Sequence, residues 1–329
     1  MYRKEREKIM AHELEMDAQG KAKMAFFGDT PWHGLGKKIE HAMTSAEAIK
    51  EAELDWKVKM VPVYTPDKLI EGRKAVIRET DGRVYNITKD RYLPIQNEEA
   101  FNFFDAVTGT NEAKYHTAGS IRNGAMVWML AKLPDSIAID GEQIDKFICL
   151  LNSHDGSSAL KMFFTPIRVV CMNTLSMAES GAANKFYARH TTNINTRMDV
   201  ARDVLGFAKK YYDNWTVQAN KLVTEQLPVL GFEAMMKNAF KADELKELDE
   251  MYAPVQKAFS RVEELLTVGK GMDNSHIAGT KWAAYNALVE YIDYEKQPRG
   301  GSADNRLKSA WFGTGAAIKE RSWNYLLKN

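Results

Sequence analysis

His154 and Asp155 stand side by side in Asn152-Ser153-His154-Asp155-Gly156-Ser157. An adjacent imidazole and carboxylate can ligate a metal ion or pass a proton. The pair lies in a polar turn between two strand-like runs, and the second run ends in another polar cluster, Cys171-Met172-Asn173-Thr174. Polar groups gathered where apolar strands meet are a common way for a fold to present a site. Metal-dependent phosphohydrolases use a His-Asp pair of this kind, but they also need His and Asp ligands from separate helices. The other histidines (His12, His33, His41, His116, His190 and His276) are isolated, without His-x-x-x-His or Glu-x-x-His spacing. The simpler reading gives Asp155 a turn-stabilising role, bonding backbone amides next to Gly156.

Thr30-Pro31-Trp32-His33-Gly34-Leu35-Gly36 is also dense in special residues. Trp32 beside His33 can stack on a ligand ring, or the loop can be a tryptophan-anchored clasp. Trp32, His33, Asn152, His154, Asp155 and Asn173 therefore form one candidate cluster. Cys171 could pair with His154 or His190 as thiolate and imidazole, although a Cys after Val169-Val170 also serves as a small apolar residue. Ser-x-x-Lys, Gly-x-Ser-x-Gly and phosphate-loop motifs are absent. No cofactor and no metal centre are expected, and no catalytic residue is assigned.

A second chemistry is carried by basic residues interleaved with aromatics. Lys185-Phe186-Tyr187-Ala188-Arg189-His190-Thr191-Thr192-Asn193 is followed by Arg197, Arg202, Lys209 and Lys210. Arg and Lys neutralise phosphates, Thr and Asn hydrogen-bond them, and Tyr or Phe stacks on exposed bases. Lys161 and Arg168 on the preceding strands would extend that surface. The nucleic-acid-binding candidates are Lys161, Arg168, Lys185, Tyr187, Arg189, His190 and Arg197, with DNA, and single strands in particular, as the partner. Against this, Asp199 and Asp203 are near enough to Arg202 on one helix to pair with it.

Composition bounds the class. The chain has 329 residues, 45% hydrophobic and 27% charged, with a formal net charge of +1. These are ordinary globular values and do not advertise a polyanionic partner for the molecule as a whole. No apolar run approaches the ~20 residues that span a bilayer, and no signal-peptide pattern opens the sequence. Two cysteines in so long a chain fit a reducing compartment, so a cytoplasmic protein without a membrane partner is expected. Charge is uneven: from Lys296 to Asn329 there are seven bases and two acids, and from Glu233 to Glu264 eight acids and five bases.

These groups need elements to position them. Thr44-Ser45-Ala46-Glu47 predicts a capped helix through about Glu53. Trp56–Tyr64, Lys74–Thr80 and Arg83–Thr88 alternate like strands, with a turn at Thr80-Asp81-Gly82. A helical stripe runs from Asn97, as its cap, to Val107, and Gly109 closes it. Tyr115–Ile121 and Ala125–Leu133 make a hairpin around Arg122-Asn123-Gly124, and Ile137–Ile139, Lys146–Leu151, Ala159–Phe164 and Ile167–Cys171 add short strands. Asn195–Gln226 reads as a long helix stopped by Leu227-Pro228, with more helices after Gly231 and a last one capped by Thr314. The expected fold is α+β: a largely antiparallel sheet with hairpins and packed helices, followed by a mostly helical C-terminal region. The expected divisions are a mobile arm over 1–20, an α+β core over 21–230 and a helical region over 231–329.

Several stretches, taken in order, resemble the phage/plasmid-like protein family, the domain-of-unknown-function 932 group. They are Met10-Ala11-His12-Glu13, Thr30–Gly36, Asn152–Ser157, Thr165-Pro166-Ile167-Arg168-Val169-Val170-Cys171-Met172-Asn173-Thr174-Leu175, Arg189-His190-Thr191, and Gly279-Thr280-Lys281-Trp282-Ala283-Ala284-Tyr285-Asn286-Ala287. The resemblance implies a phage, prophage or plasmid origin and work in the cytoplasm of a bacterial host cell, and supplies no activity. In outline the chain is also similar to single-strand annealing recombinases, which assemble into rings and grip the DNA backbone. The functional expectation is a nucleic-acid-binding protein, an annealing or recombination accessory factor acting without chemistry, and a homo-oligomer. The alternatives are a metal-dependent hydrolase using His154 and Asp155, and a non-enzymatic host-interaction protein that binds through its helical C-terminal region.

Overall fold

The computed structural model describes residues 14–28, 35–108, 114–168, 173–174, 185–188, 190, 198–242, 252–297, 309–310 and 313–329. In chain order the elements are β1 (Met24–Phe27), β2 (Lys37–Ile39), α1 (Ser45–Glu51), β3 (Val58–Tyr64), β4 (Leu69–Arg78), β5 (Val84–Lys89), α2 (Asn97–Thr108) and β6 (Lys114–Ile121). There follow β7 (Met126–Ile139), β8 (Glu142–Ser153), β9 (Leu160–Arg168), β10 (Asn173–Thr174) and β11 (Lys185–Ala188). The helices α3 (Met198–Thr224), α4 (Val229–Phe240), α5 (Ala253–Val268), α6 (Lys281–Glu290, continued by a π-turn over Tyr291–Glu295) and α7 (Thr314–Lys328) complete the series. The fold is α+β, as expected.

The main sheet has the order β10-β9-β8-β7-β6-β1-β2, with β11 also beside β9. Its pairs are antiparallel except β1 with β2. The hairpin between β6 and β7 turns through Arg122, Asn123 and Gly124, all at positive φ, a conformation Asn and Gly tolerate better than other residues. β7 is longer than the sequence suggests. Its register shifts between Lys132 and Ser136, so Pro134 and the positive-φ Asp135 sit in the irregularity and pairing resumes to Ile139. The two extra residues there accommodate a proline that a regular ladder would reject.

β3, β4 and β5 form a separate small sheet. The α1 cap is the expected box: Thr44 accepts from the Glu47 amide, and the Glu47 carboxylate accepts from the Thr44 amide. The expected Thr314 cap is not seen, because Thr314 is the first residue of α7 and Gly313 holds the cap position. Within the expected arm, Leu14 bridges Ile121 of the sheet, and Leu14 and Glu15 are buried.

Two large cores meet within α3. Ala208, Tyr211 and Tyr212 pack with the sheet, α1 and α2, whereas Trp215, Ala219 and Leu222 belong to the helical core. Ile139 and Ile144, at the far end of the β7–β8 ribbon, enter that helical core as well. There Trp215 stacks on Trp323 at 5.7 Å, and the Lys319 ammonium donates to Asp293 at 2.8 Å, both side chains buried.

Candidate functional site

The seam between the small sheet and the turn end of the main sheet gathers a cluster of buried polar residues. β8 delivers Asn152 and Ser153 to its end, and the His154 amide donates to Ala125 O at 2.8 Å, so the two turns lie together. His154 is fully buried. Its Nε2 is 2.9 Å from Asn97 Oδ1, and Asn97 Nδ2 donates to Leu54 O. With its amide nitrogen committed to a carbonyl, Asn97 presents an acceptor, so His154 carries its proton on Nε2. Asn97 thus faces the interior rather than capping α2, and the first turn is instead met by Glu99, whose carboxylate accepts from the Gln96 amide.

Aromatic rings enclose the imidazole. Trp56 meets it edge-on at 5.1 Å and Tyr85 lies over it at 6.0 Å. Arg78 sits over the Trp56 ring at 5.2 Å and donates to Glu15 and, through two nitrogens, to Asp81. These hydrogen bonds hold the Asp81 carboxyl far below its ordinary value. Gly124 closes the cluster: a Cβ there would lie 2.8 Å from Arg78 Nη1 and collide with Tyr85 Oη. Burial pushes His154 down to about 3, with His190 nearby adding to the effect, so the imidazole is neutral.

Asp155 behaves as a turn residue. Its Oδ1 accepts from the Ser157 amide at 2.9 Å and the Ser153 hydroxyl at 2.7 Å, and its Oδ2 accepts from Arg122 at 2.6 Å. Burial opposes the charge, but the Ser157 and Ser153 hydrogen bonds and Arg122 keep the carboxyl below its ordinary value. Asn152 Nδ2 donates to Ile95 O. Among the described residues, Trp56 Nε1, Asn152 Oδ1 and His154 Nδ1 are buried without a hydrogen-bond partner. Among the described residues no group of three His, Cys, Asp or Glu is placed to hold a metal ion.

The basic–aromatic candidates divide. Lys161 on β9 is the direct partner of Tyr187 on β11, and its ammonium lies 5.7 Å from the exposed Tyr187 ring. Lys185 stands opposite Phe163, and Arg168 ends β9 in register with Ile144 and Asn173. His190 does not join this surface. It is buried, stacks on Tyr92 at 5.0 Å and is pushed down by burial to about 4. An apolar neighbour in the fold, Tyr92, draws the ring inward although the local sequence is polar and basic. Trp32, His33, Cys171, Arg189 and Arg197 lie outside the described residues.

Sequence reasoning brought Asn152, His154 and Asp155 to one place but missed Trp56, Arg78, Tyr85, Tyr92 and Asn97. Only the alternation of strands with turns signalled that those residues could converge. Among the described residues no helix is long and apolar enough to cross a membrane. No curated protein matches the chain significantly, and no solved structure does. One family model, described as a domain of unknown function (DUF932), matches residues 84–311. That span takes in Tyr85, Asn97, the Asn152–Asp155 turn, Lys161 and Tyr187, and leaves Trp56 and Arg78 outside. Matched over more than half its length, the chain belongs to the DUF932 family.

Proposed function

We propose that this is a nucleic-acid-binding protein of phage, prophage or plasmid origin that grips single-stranded DNA without performing chemistry on it. The observation that carries the reading is the Lys161–Tyr187 pair. Direct cross-strand partners put an ammonium and an exposed ring side by side at the sheet margin. An ammonium offsets a phosphate while the ring gives a base a face to stack on. α3 lies against β11 and adds exposed Phe207, Lys209 and Lys210. Lys185 opens β11, and Arg168 ends β9 beyond the stretch that β11 pairs with. His190 is left out of the binding surface because it is neutral and enclosed. The hydrolase alternative gains nothing from the geometry, since His154 is sealed from solvent and the Asp155 oxygens are engaged by Ser153, Ser157 and Arg122.

The test is fluorescence anisotropy of labelled oligodeoxythymidine and of a duplex across a salt series, with a Lys161→Ala/Tyr187→Ala variant alongside. Log affinity should fall linearly with log salt, by about 0.7 per phosphate neutralised on a single strand. The double variant should bind single strands at least about tenfold more weakly, in line with the loss of one stacking contact. Absence of binding at low salt, or an affinity indifferent to salt, would remove the proposal.

A further inference from the structure

Several charged side chains in and around α1 find partners nearby: Glu51 meets Lys37, Glu47 meets His41, Glu53 meets Lys23, and Glu79 meets Lys59. Lys50, Asp55, Lys57 and Glu98 do not. All four are exposed, and none has an ion pair or a side-chain hydrogen bond among the described residues. They line one cleft of about 360 Å³, set between α1, the stretch that leads into β3, and the start of α2.

The walls of the cleft are tied together. The Gln96 carboxamide accepts from the Val58 amide at 3.0 Å and donates to Val58 O at 2.9 Å, which joins the entry to α2 to the first residue of β3. The Ser45 hydroxyl, at the start of α1, donates to Asp105 of α2. The apolar part of the lining is Ile49, Leu54 and Trp56, of which Leu54 and Trp56 are buried. A held frame, an apolar lining and a few polar groups are features of ligand sites, whose volumes usually run from roughly 300 to 1,000 Å³. This cleft is at the small end of that range.

The charges decide what such a site accepts. A polyanion such as DNA would meet Asp55 and Glu98 as like charges, and a polycation would meet Lys50 and Lys57. A neutral apolar molecule would cover all four charges without pairing any, at a desolvation cost. A metal ion is not provided for, since no group of three His, Cys, Asp or Glu among the described residues is placed to hold one. A molecule that carries an ammonium and a carboxylate on an apolar body pairs with both signs and covers the aliphatic and indole surface at once.

We propose that this cleft binds a small zwitterion with an apolar body, an amino acid or a dipeptide, its ammonium donating to Asp55 and Glu98 and its carboxylate accepting from Lys50 and Lys57. The site is separate from the Lys161–Tyr187 pair, because no residue lining the cleft belongs to β9 or β11.

The experiment is isothermal titration calorimetry of the full chain with L-phenylalanine and with L-leucyl-L-phenylalanine, which tell an amino-acid site from a dipeptide site. The N-acetyl and C-amide forms of each are titrated alongside. At least one of the two zwitterions should bind with a dissociation constant below about 1 mM. Blocking either end should weaken it at least about tenfold, as the loss of a charge-assisted hydrogen bond predicts. Asp55→Asn/Glu98→Gln and Lys50→Gln/Lys57→Gln should each cause a similar loss. All four side chains are exposed, so these variants keep the core, and melts followed by circular dichroism check that they fold. A Lys161→Ala/Tyr187→Ala protein should bind the zwitterion as wild type does, which separates this site from the DNA-binding reading. Absence of binding by both zwitterions at that concentration, blocked forms that bind as well, or charge variants that bind like wild type would each overturn the proposal. So would displacement by oligodeoxythymidine or a dependence on Lys161 and Tyr187.

Discussion

His154 Nε2 lies 2.9 Å from Asn97 Oδ1, a contact between residues 57 apart in sequence that ties the β8 turn to the start of α2. It fixes the tautomer of a fully enclosed imidazole and leaves Nδ1 facing an interior of aromatic rings. This histidine works in the deprotonated state, and protonation opposes folding.

Stability should therefore fall on acidification. His154 and His190 have folded values of about 3 and about 4 against an ordinary 6.5. The unfolded chain takes up their protons first, so their contribution is complete above about pH 6.5 and is lost as the pH falls toward about 4 for His190 and about 3 for His154. The slope approaches about 1.4 kcal/mol per pH unit for each histidine. Urea unfolding at pH 7 and pH 5 measures it, and a His154→Gln protein should show a shallower dependence.

Gly124→Ala and Gly141→Ala separate backbone conformation from close approach. Both glycines have positive φ, but a Cβ at Gly141 meets open space whereas one at Gly124 runs into Arg78 and Tyr85. Gly141→Ala should cost about 1 kcal/mol, and Gly124→Ala about 2–3 kcal/mol because the seam must also shift. Equal losses in chemical denaturation would show that the hairpin does not touch the Arg78 cluster.

The Lys319–Asp293 pair predicts a non-additive cycle. Lys319→Met leaves a buried carboxylate and should cost about 3–5 kcal/mol, whereas Lys319→Met with Asp293→Leu should recover most of that loss. Urea midpoints of the two single variants and the double variant decide it.

Cys149 should resist alkylation in the folded protein. It is fully buried, and burial alone pushes its thiol up, so both access and thiolate are lacking. Peptide mapping after iodoacetamide treatment should find it modified only in denaturant.

Much of the local architecture was legible because it is set by neighbours in sequence. The Thr44–Glu47 box and the Asn123-Gly124 turn are decided by side-chain reach and by which residues accept positive φ. Alternation marked most strands, and the 3.6-residue stripe marked α2 and α3. Pairing was not legible in the same way. The parallel β1–β2 pair, the joining of β11 to β9 and the continuity of β7 through Pro134 depend on hydrogen bonds between distant strands.

The sequence by itself determined the α+β class, the family and the polarity of the Asn152–Asp155 turn. Only the tertiary structure decided what that turn does, because burial is a property of the whole packing. It sealed His154 behind Trp56 and Tyr85, drew His190 inward onto Tyr92 and left Tyr187 in solvent beside Lys161. Residues of similar local composition thus became core and surface according to which distant strand or sheet the chain laid against them.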